Sequence, residues 1–191
     1  MRPSYNEKKY FATNSQAARE DLRVKVDKAA SELQARQDIG SAVSTDNAAL
    51  VGRIRKLGFD GDSARVFDLL PLIHVSWADG KIQTDERNTI LAILDKRGVE
   101  PGSQACTLIE TLLEKKPSEA FFAETLSILR ALTKSQSAGA SVVELCIEVA
   151  EVSGGLFGLG NKVSAEEKEL IAQVADALGT SAQDAFKKGL D

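Results

Sequence analysis

The sequence is poor in cysteine, histidine and the larger aromatic residues: its 191 residues include two Cys, one His, one Trp and two Tyr. Two cysteines cannot form a disulfide framework, and without neighbouring histidines they do not make a zinc site. A single histidine leaves little from which to build a nucleophilic triad, and the shortage of Trp and Tyr argues against a surface for stacking bases. These absences disfavour several common enzyme classes and nucleic-acid binding.

The sequence also lacks long apolar runs and an excess of basic residues. No stretch approaches the ~20 apolar residues of a membrane span, and the polar residues 1–9 do not resemble a secretory signal. The net charge of −4 is opposite to what phosphate neutralisation requires. The sequence therefore predicts a cytoplasmic protein without a membrane span or a nucleic-acid partner, whose natural ligand is a cation or a basic partner.

Both cysteines lie in apolar helical patterns, Cys106 before Leu108-Ile109 and Cys146 between Leu145 and Ile147. A free cysteine in such surroundings behaves as a small hydrophobic residue. We therefore predict that both are core residues rather than redox groups.

Apolar residues recur at helical spacing along most of the chain, and no alternating strand pattern is found, so the predicted fold class is all-α. Residues 1–15 lack periodicity and are predicted to form a flexible arm, and residues 16–61 an N-terminal helical extension. A helix through Pro71 must begin or kink near that proline. The predicted helices are 16–37, 48–57, 64–77, 85–96, 104–115, 118–132, 142–152, 165–178 and 182–190.

The first predicted helix has a narrow apolar stripe of Leu22, Val26, Ala29 and Leu33 at four-three-four spacing. A coiled-coil prediction requires three or four consecutive heptads, and this stripe is shorter. The stripe is therefore predicted to pack on the domain or on a partner.

An acidic turn leading into an apolar helix, residues 78–87, has an echo at residues 160–168. Lys81-Ile82 aligns with Lys162-Val163, and Asp85-Glu86 aligns with Glu166-Glu167. Each copy continues with apolar residues at i, i+3 and i+4 spacing, which is one unit of loop and helix written twice. We interpret the pattern as an internal duplication, with copies near residues 78–95 and 158–176.

The stretch Val66-Phe67-Asp68-Leu69-Leu70, followed by Trp77-Ala78-Asp79-Gly80-Lys81-Ile82 and Glu86, resembles the TerB-like family, named after tellurite resistance protein TerB. The resemblance covers roughly residues 62–180. It implies an all-helical domain of two duplicated halves, here residues 62–191, that binds a divalent cation through acidic residues. It also implies a link to stress or tellurite resistance.

The candidate cation ligands follow from the duplicated motif. Asp79 and Glu86 are the main candidates for a Ca²⁺, Mg²⁺ or Zn²⁺ site, with Asp85, Glu166 and Glu167 as secondary ones. The alternative is that these carboxylates only satisfy free N–H groups at helix starts. Ser164-Ala165-Glu166-Glu167 is a capping box, which accounts for Glu167 without a ligand, and the second copy lacks the Asp of the motif.

The sequence does not match three more specific kinds of site: an EF-hand, a phosphate-binding loop and a histidine metal site. Asp79 and Glu86 are spaced as positions 5 and 12 of an EF-hand loop, but Val75 and Trp77 at positions 1 and 3 supply no side-chain oxygen. The Gly-rich residues 154–162 lack the Gly-Lys-Ser/Thr ending of a phosphate loop, so Leu156, Phe157 and Leu159 are predicted to enter the core, with a contact patch as the alternative. His74 is predicted to be a hydrogen-bonded core histidine rather than a metal ligand.

These observations lead to one hypothesis with two alternatives. The first is a non-enzymatic, stress-associated sensor or adaptor that binds a divalent cation and a protein partner, such as a membrane-associated resistance or stress complex. The second is an interaction module without metal, held to its partner by the helix of residues 16–37 and the Gly-rich loop. A metal-dependent hydrolase is the third class, although no motif names a substrate or a general base. No His-Pro-Asp tripeptide occurs, which excludes J-domain co-chaperone activity.

Overall fold

A computed structural model describes residues 5–133, 136–153 and 163–190, and in these ranges the chain contains helices and no strand. The prediction of an all-α fold is confirmed. In chain order the elements are α1 (Tyr5–Ala42), α2 (Ala48–Lys56), a 3₁₀ helix (Ser63–Leu69), α3 (Leu70–Ser76), α4 (Thr84–Lys96), α5 (Gln104–Glu114), α6 (Glu119–Leu132), α7 (Gln136–Ser153), α8 (Ala165–Leu178) and α9 (Thr180–Leu190). The predicted Gly-rich loop 154–162 lies outside the described residues.

Helix α1 is longer than its apolar pattern predicts. It begins at Tyr5, inside the segment 1–15 that was expected to be a loose arm, and ends at Ala42. The extension carries good helix formers such as Glu, Lys and Ala, whose intrinsic propensity favours a helix without an apolar face. Residues 15–31 are all exposed. Among the residues of α1 whose burial is described, contact with the rest of the protein is made near the C-terminal end, where Ile39 is buried and α1 packs on α2 and the 3₁₀ helix.

The turn from α1 to α2 is closed by backbone contacts. The Thr45 N–H donates to the Gly40 carbonyl, and Ser44 adopts a positive φ of 53°. The side-chain oxygen of Asn47 then caps α2 by accepting from the backbone of Ala49 and Leu50. A Cβ at Gly40 would lie 2.8 Å from the Thr45 carbonyl oxygen. The turn therefore requires the absence of a side chain at this position.

We expect Gly40→Ala to lower the free energy of unfolding by about 1–3 kcal/mol, because a backbone oxygen must move to make room. Gly52→Ala is the matched control: Gly52 lies inside α2, and a Cβ there meets nothing within 4 Å. That change should instead raise the free energy of unfolding by about 0.5–1 kcal/mol, the usual gain of Ala over Gly within a helix. Urea denaturation measures both, and equal effects of the two substitutions would contradict the account.

The short helix α3 lies at the centre of the fold. Pro71 occupies its first turn, where the missing N–H costs nothing, and the 3₁₀ helix precedes it. The expected break near Pro71 is thus confirmed. Every residue of α3 is buried, and the helix packs against the 3₁₀ helix, α6, α7 and α8. Its C-terminal end is therefore held rigidly where the acidic turn begins.

The remaining helices enclose α3 in one hydrophobic cluster. Helix α7 packs on α3, α4, α8 and α9. Cys106 and Cys146 are both buried and free, as predicted, and burial raises the pKa of the Cys146 thiol. Ile39 and Ile54 from the N-terminal extension belong to the same cluster, so the extension shares the core, while the boundary at residue 62 stays a prediction. No described helix combines the length and apolar content needed to cross a bilayer.

Candidate functional site

The acidic turn is attached directly to the end of α3. The Trp77 indole N–H donates to the Leu112 carbonyl at 3.0 Å, and the Trp77 carbonyl accepts from the Gly80 N–H at 3.1 Å. Gly80 has a φ of 87°, a left-handed conformation that glycine adopts without strain. Asp79 is exposed, and its Oδ1 accepts from the Lys81 N–H at 3.3 Å. The turn thus presents the Asp79 carboxylate in a fixed local geometry.

Glu86 folds back into the protein at the start of α4. It is only 2 % exposed, and its Oε2 accepts from the Gln83 N–H at 2.7 Å. This bond satisfies one of the free N–H groups at the helix start, which is the usual part of the glutamate in a capping box. The desolvation free energy opposes this arrangement strongly, because a buried carboxylate loses its hydration shell.

Glu167 occupies the equivalent position at the start of α8. Its Oε2 accepts from the Ser164 N–H at 2.7 Å, while the Glu167 N–H donates to the Ser164 hydroxyl at 3.1 Å. The predicted capping box is confirmed. Glu167 is also buried, at 6 % exposed, so both motif copies direct a capping glutamate inward. The duplication itself stays a prediction.

The packing brings three of the predicted residues into electrostatic contact. Burial raises the pKa of Glu86 to about 7; the bond from Gln83 opposes the rise, while the charges of Glu167 and Asp79 add to it. A hydrogen bond from Ser76, the last residue of α3, also opposes it. Glu86 is therefore partly protonated near neutral pH, and any cation that replaced the proton would relieve repulsion among these carboxylates.

The other two predicted residues lie at the surface. Asp85 and Glu166 are exposed in the first turns of α4 and α8. Glu166 borders a cleft that also contains His74 and Glu119. Among the five predicted residues, Glu167 and Asp79 are thus close enough to Glu86 for their charges to act on it. Asp85 and Glu166 do not belong to that group.

The donor set can be compared with the needs of different cations. In the parts of the chain that the structure describes, no three Asp, Glu, His or Cys side chains are arranged as a ligand group. Glu86, Glu167 and Asp79 offer oxygen atoms only, which suits Mg²⁺ or Ca²⁺ better than Zn²⁺. Mg²⁺ is commonly held by one or two carboxylates with water completing its shell. An ion at this place would therefore have to use one or two of these carboxylates and complete its shell with water.

His74 is a core residue, as predicted. It is 7 % exposed and stacks on Phe122 with ring centroids 4.0 Å apart and an interplanar angle of 11°. Its Nε2 lies 3.6 Å from Glu119 Oε2, and within the described residues its buried Nδ1 has no hydrogen-bond partner, so the predicted hydrogen bond is not found at that nitrogen. Burial lowers the pKa of His74, opposed by the charge of Glu119. His74 thus acts as a core side chain that packs against Phe122.

Ser76 is the residue near Glu86 that sequence reasoning missed. Its hydroxyl lies 3.1 Å from the Leu72 carbonyl oxygen and within reach of the Glu86 carboxyl, so its single proton bonds one of these two acceptors at a time. The only signal in the sequence is a small polar residue within the apolar run Leu72-Ile73-His74-Val75. A serine there is equally typical of local bonding to the preceding turn, so its second partner could not be inferred.

The model of the family described as "Tellurite resistance protein TerB" matches residues 69–188, more than half of the chain. The matched range runs from the end of the 3₁₀ helix into α9 and contains all five predicted acidic residues, but not α1 or α2. No curated protein and no solved structure matches the chain.

Proposed function

The chain belongs to the tellurite resistance protein TerB family, and we propose that it serves there as a non-enzymatic cytoplasmic adaptor controlled by a divalent cation. The cation would bind where the acidic turn, α4 and α8 meet. It would change the stability of that junction and, through it, the affinity for a protein partner, such as a membrane-associated resistance or stress complex. Differential binding of this kind is how a ligand shifts a protein between states.

The observation that supports this proposal most directly is the buried carboxyl of Glu86. Burial and the charges of Glu167 and Asp79 raise its pKa to about 7. The ionised form of Glu86 is therefore unfavourable in the folded protein, and the carboxyl is partly protonated at neutral pH. Perturbed ionisable groups of this kind concentrate at functional sites. A cation would offset the repulsion and displace the proton, and its affinity should therefore rise with pH.

The residues have distinct parts in this proposal. Glu86 and Glu167 supply buried carboxylates, and Asp79 supplies an exposed one from the turn. Asp85 and Glu166, both exposed, would act through water molecules of the ion's outer shell. The ion would most naturally be Mg²⁺ or Ca²⁺, since neither histidine nor cysteine belongs to the set.

Thermal unfolding with chelator, Mg²⁺, Ca²⁺ or Zn²⁺ tests the proposal. At a hundredfold its dissociation constant the cation should stabilise the native protein by about 2.7 kcal/mol. The variants Asp79→Asn and Glu86→Gln should lose this stabilisation. Both keep a side-chain oxygen that can accept the bond from Lys81 or Gln83, so the loss would report charge and not a broken turn.

Asp95→Asn is the control, because Asp95 is an exposed residue near the far end of α4. It should leave the cation effect unchanged. If no cation stabilises the unaltered protein, the acidic residues serve only as helix caps. A response to Zn²⁺ alone would also contradict the all-oxygen site.

A second function, holding a protein partner without metal, is favoured by the exposed apolar residues of α1. Leu22, Val26 and Leu33 are each more than half exposed. A chelator would leave this activity unchanged, whereas polar substitutions on α1 would remove it. The Gly-rich loop, predicted to share in the contact, lies outside the described residues.

A further inference from the structure

The exposed large apolar side chains are concentrated on one helix. Among the described residues, those on α1 are Tyr5, Leu22, Val24, Val26 and Leu33, and Val152 is the one elsewhere. Scattered single apolar residues on a surface are ordinary, whereas a series along one element marks an interaction site. Within the described residues, α1 therefore carries most of the exposed large apolar side chains and is the candidate interaction surface.

The exposed part of α1 also lacks support from the rest of the fold. Residues 15–31 are all exposed, and the described contacts of the helix with the fold lie near Ile39. A single helix that packs on nothing is marginal in water, since most helical stability in proteins comes from burying one face. A contact along residues 15–33 would supply that burial.

Four residues define the face available for this contact, and we call them the α1 stripe: Leu22, Val26, Ala29 and Leu33. Their four-three-four spacing matches the a and d positions of a coiled coil, so they form one seam. Val24 points to the opposite side of the helix, about 200° away from Leu22 at 100° per residue. Arg19 and Arg36 occupy the next seam positions, which limits the apolar seam to the stripe.

The charges on this part of α1 favour a second copy of the same helix. Residues 15–38 contain equal numbers of acidic and basic side chains, so two copies do not repel as whole segments despite the net charge of the chain. A membrane surface would instead favour a helix with a basic polar face. The charged residues are Arg19, Glu20, Asp21, Arg23, Lys25, Asp27, Lys28, Glu32, Arg36 and Asp38.

We infer that α1 pairs with α1 of a second copy in an antiparallel two-helix coiled coil. This alignment places Leu22 against Leu33 of the second copy and Val26 against Ala29. On one flank of the seam Lys25 then lies beside Glu32 of the second copy. By two-fold symmetry this opposite-charge pair occurs twice.

A parallel alignment is less favourable. It places Lys25 beside Ala30 of the second copy and provides no opposite-charge pair along the flanks. Both alignments bring arginines together at the ends of the stripe, so the flanking Lys25–Glu32 pair is what favours the antiparallel one. Because the stripe has only four positions, the antiparallel dimer is short and forms with weak affinity, in the range of transient contacts.

This inference rests on the second proposed function, since it names the partner of α1 as another copy of the chain. It is independent of the cation site, because α1 lies outside the acidic junction. Its failure is therefore distinct from failure of the cation proposal. The measurement below uses the full chain with chelator present.

Sedimentation equilibrium from low micromolar to several hundred micromolar protein tests the inference. The unaltered chain should show a reversible monomer–dimer equilibrium. Lys25→Glu and Glu32→Lys should each weaken the dimer by about tenfold, because each reverses two favourable pairs. Lys25 is exposed and Glu32 is only half-buried, so neither change should unfold the protein.

The combined variant K25E/E32K should restore the dimer, since the pairs are then exchanged and not removed. An equimolar mixture of the two single variants should likewise form mixed dimers. Val24→Glu is the matched control on the opposite face and should leave the affinity unchanged. A chain that stays monomeric throughout, or single variants that are not rescued by combination, would overturn the inference.

Discussion

Replacing Glu86 with glutamine is expected to stabilise the metal-free protein by about 3 kcal/mol above pH 7, an unusual gain for a single polar substitution. Glutamine keeps an oxygen for the Gln83 N–H, which donates to Glu86 at 2.7 Å, but it carries no charge to desolvate. The native pKa of about 7 compared with an ordinary value of 4.5 sets the size of the effect. Urea denaturation with chelator measures it.

The pH dependence follows from the direction of this shift. Because the native pKa of Glu86 is raised, its protonated form contributes stability that is fully present below pH 4.5 and is lost as pH rises through about 7. The advantage of Glu86→Gln over the unaltered chain should therefore be near zero at low pH and reach its full size above pH 7. Glu166→Gln, at an exposed position in α8, is the control and should show no such trend. A difference that does not change with pH would contradict burial as the cause.

Replacing Phe122 with alanine is expected to lower the free energy of unfolding by about 3–5 kcal/mol, the usual cost of removing a buried aromatic ring. Phe122 is 1 % exposed and its ring stacks on His74. The lost ring would open a cavity beside α3, which is buried along its whole length. Water entering that cavity should also raise the pKa of His74 towards its ordinary value, because burial is the largest cause of its lowering.

Phe121→Ala is the matched control for this effect. Phe121 is the preceding residue of α6 and is only partly buried, with its ring edge against Phe122 at a centroid distance of 5.8 Å. Its loss should cost roughly half as much or less, since less apolar area is removed from contact. NMR titration of the single histidine and denaturation of both variants provide the comparison. Equal costs at the two positions would show that Phe122 is not the ring that supports His74.

The sequence predicted the helices best where a capping residue marks the start. Ser103, Ser118 and Ser164 each accept a backbone N–H as the N-cap of α5, α6 and α8, and those helices lie within a residue of their predicted bounds. The starts of α1 and α7 were missed because the apolar stripe that predicted each helix begins several residues after its first turn. The 3₁₀ helix before Pro71 was also missed, since its apolar spacing is indistinguishable from that of an α-helix.

The candidate site was predictable residue by residue but not as an arrangement. An acidic turn and two capping glutamates can be recognised locally, since caps depend on neighbours three residues apart. Glu86 lies at the start of α4 and Glu167 at the start of α8, so their interaction depends on a contact between distant parts of the chain. Local patterns do not encode such contacts. The burial that raises the pKa of Glu86 could therefore be seen only in the folded structure.

Trp77 gives the protein an optical property that follows from its position. It is the single tryptophan of the chain, its indole N–H is bonded to the Leu112 carbonyl, and its own carbonyl accepts from Gly80. Indole fluorescence responds to the polarity and rigidity of its immediate surroundings. The intrinsic tryptophan emission therefore originates at the junction of α3 and the acidic turn, so the protein carries a built-in label beside Asp79 and needs no attached dye.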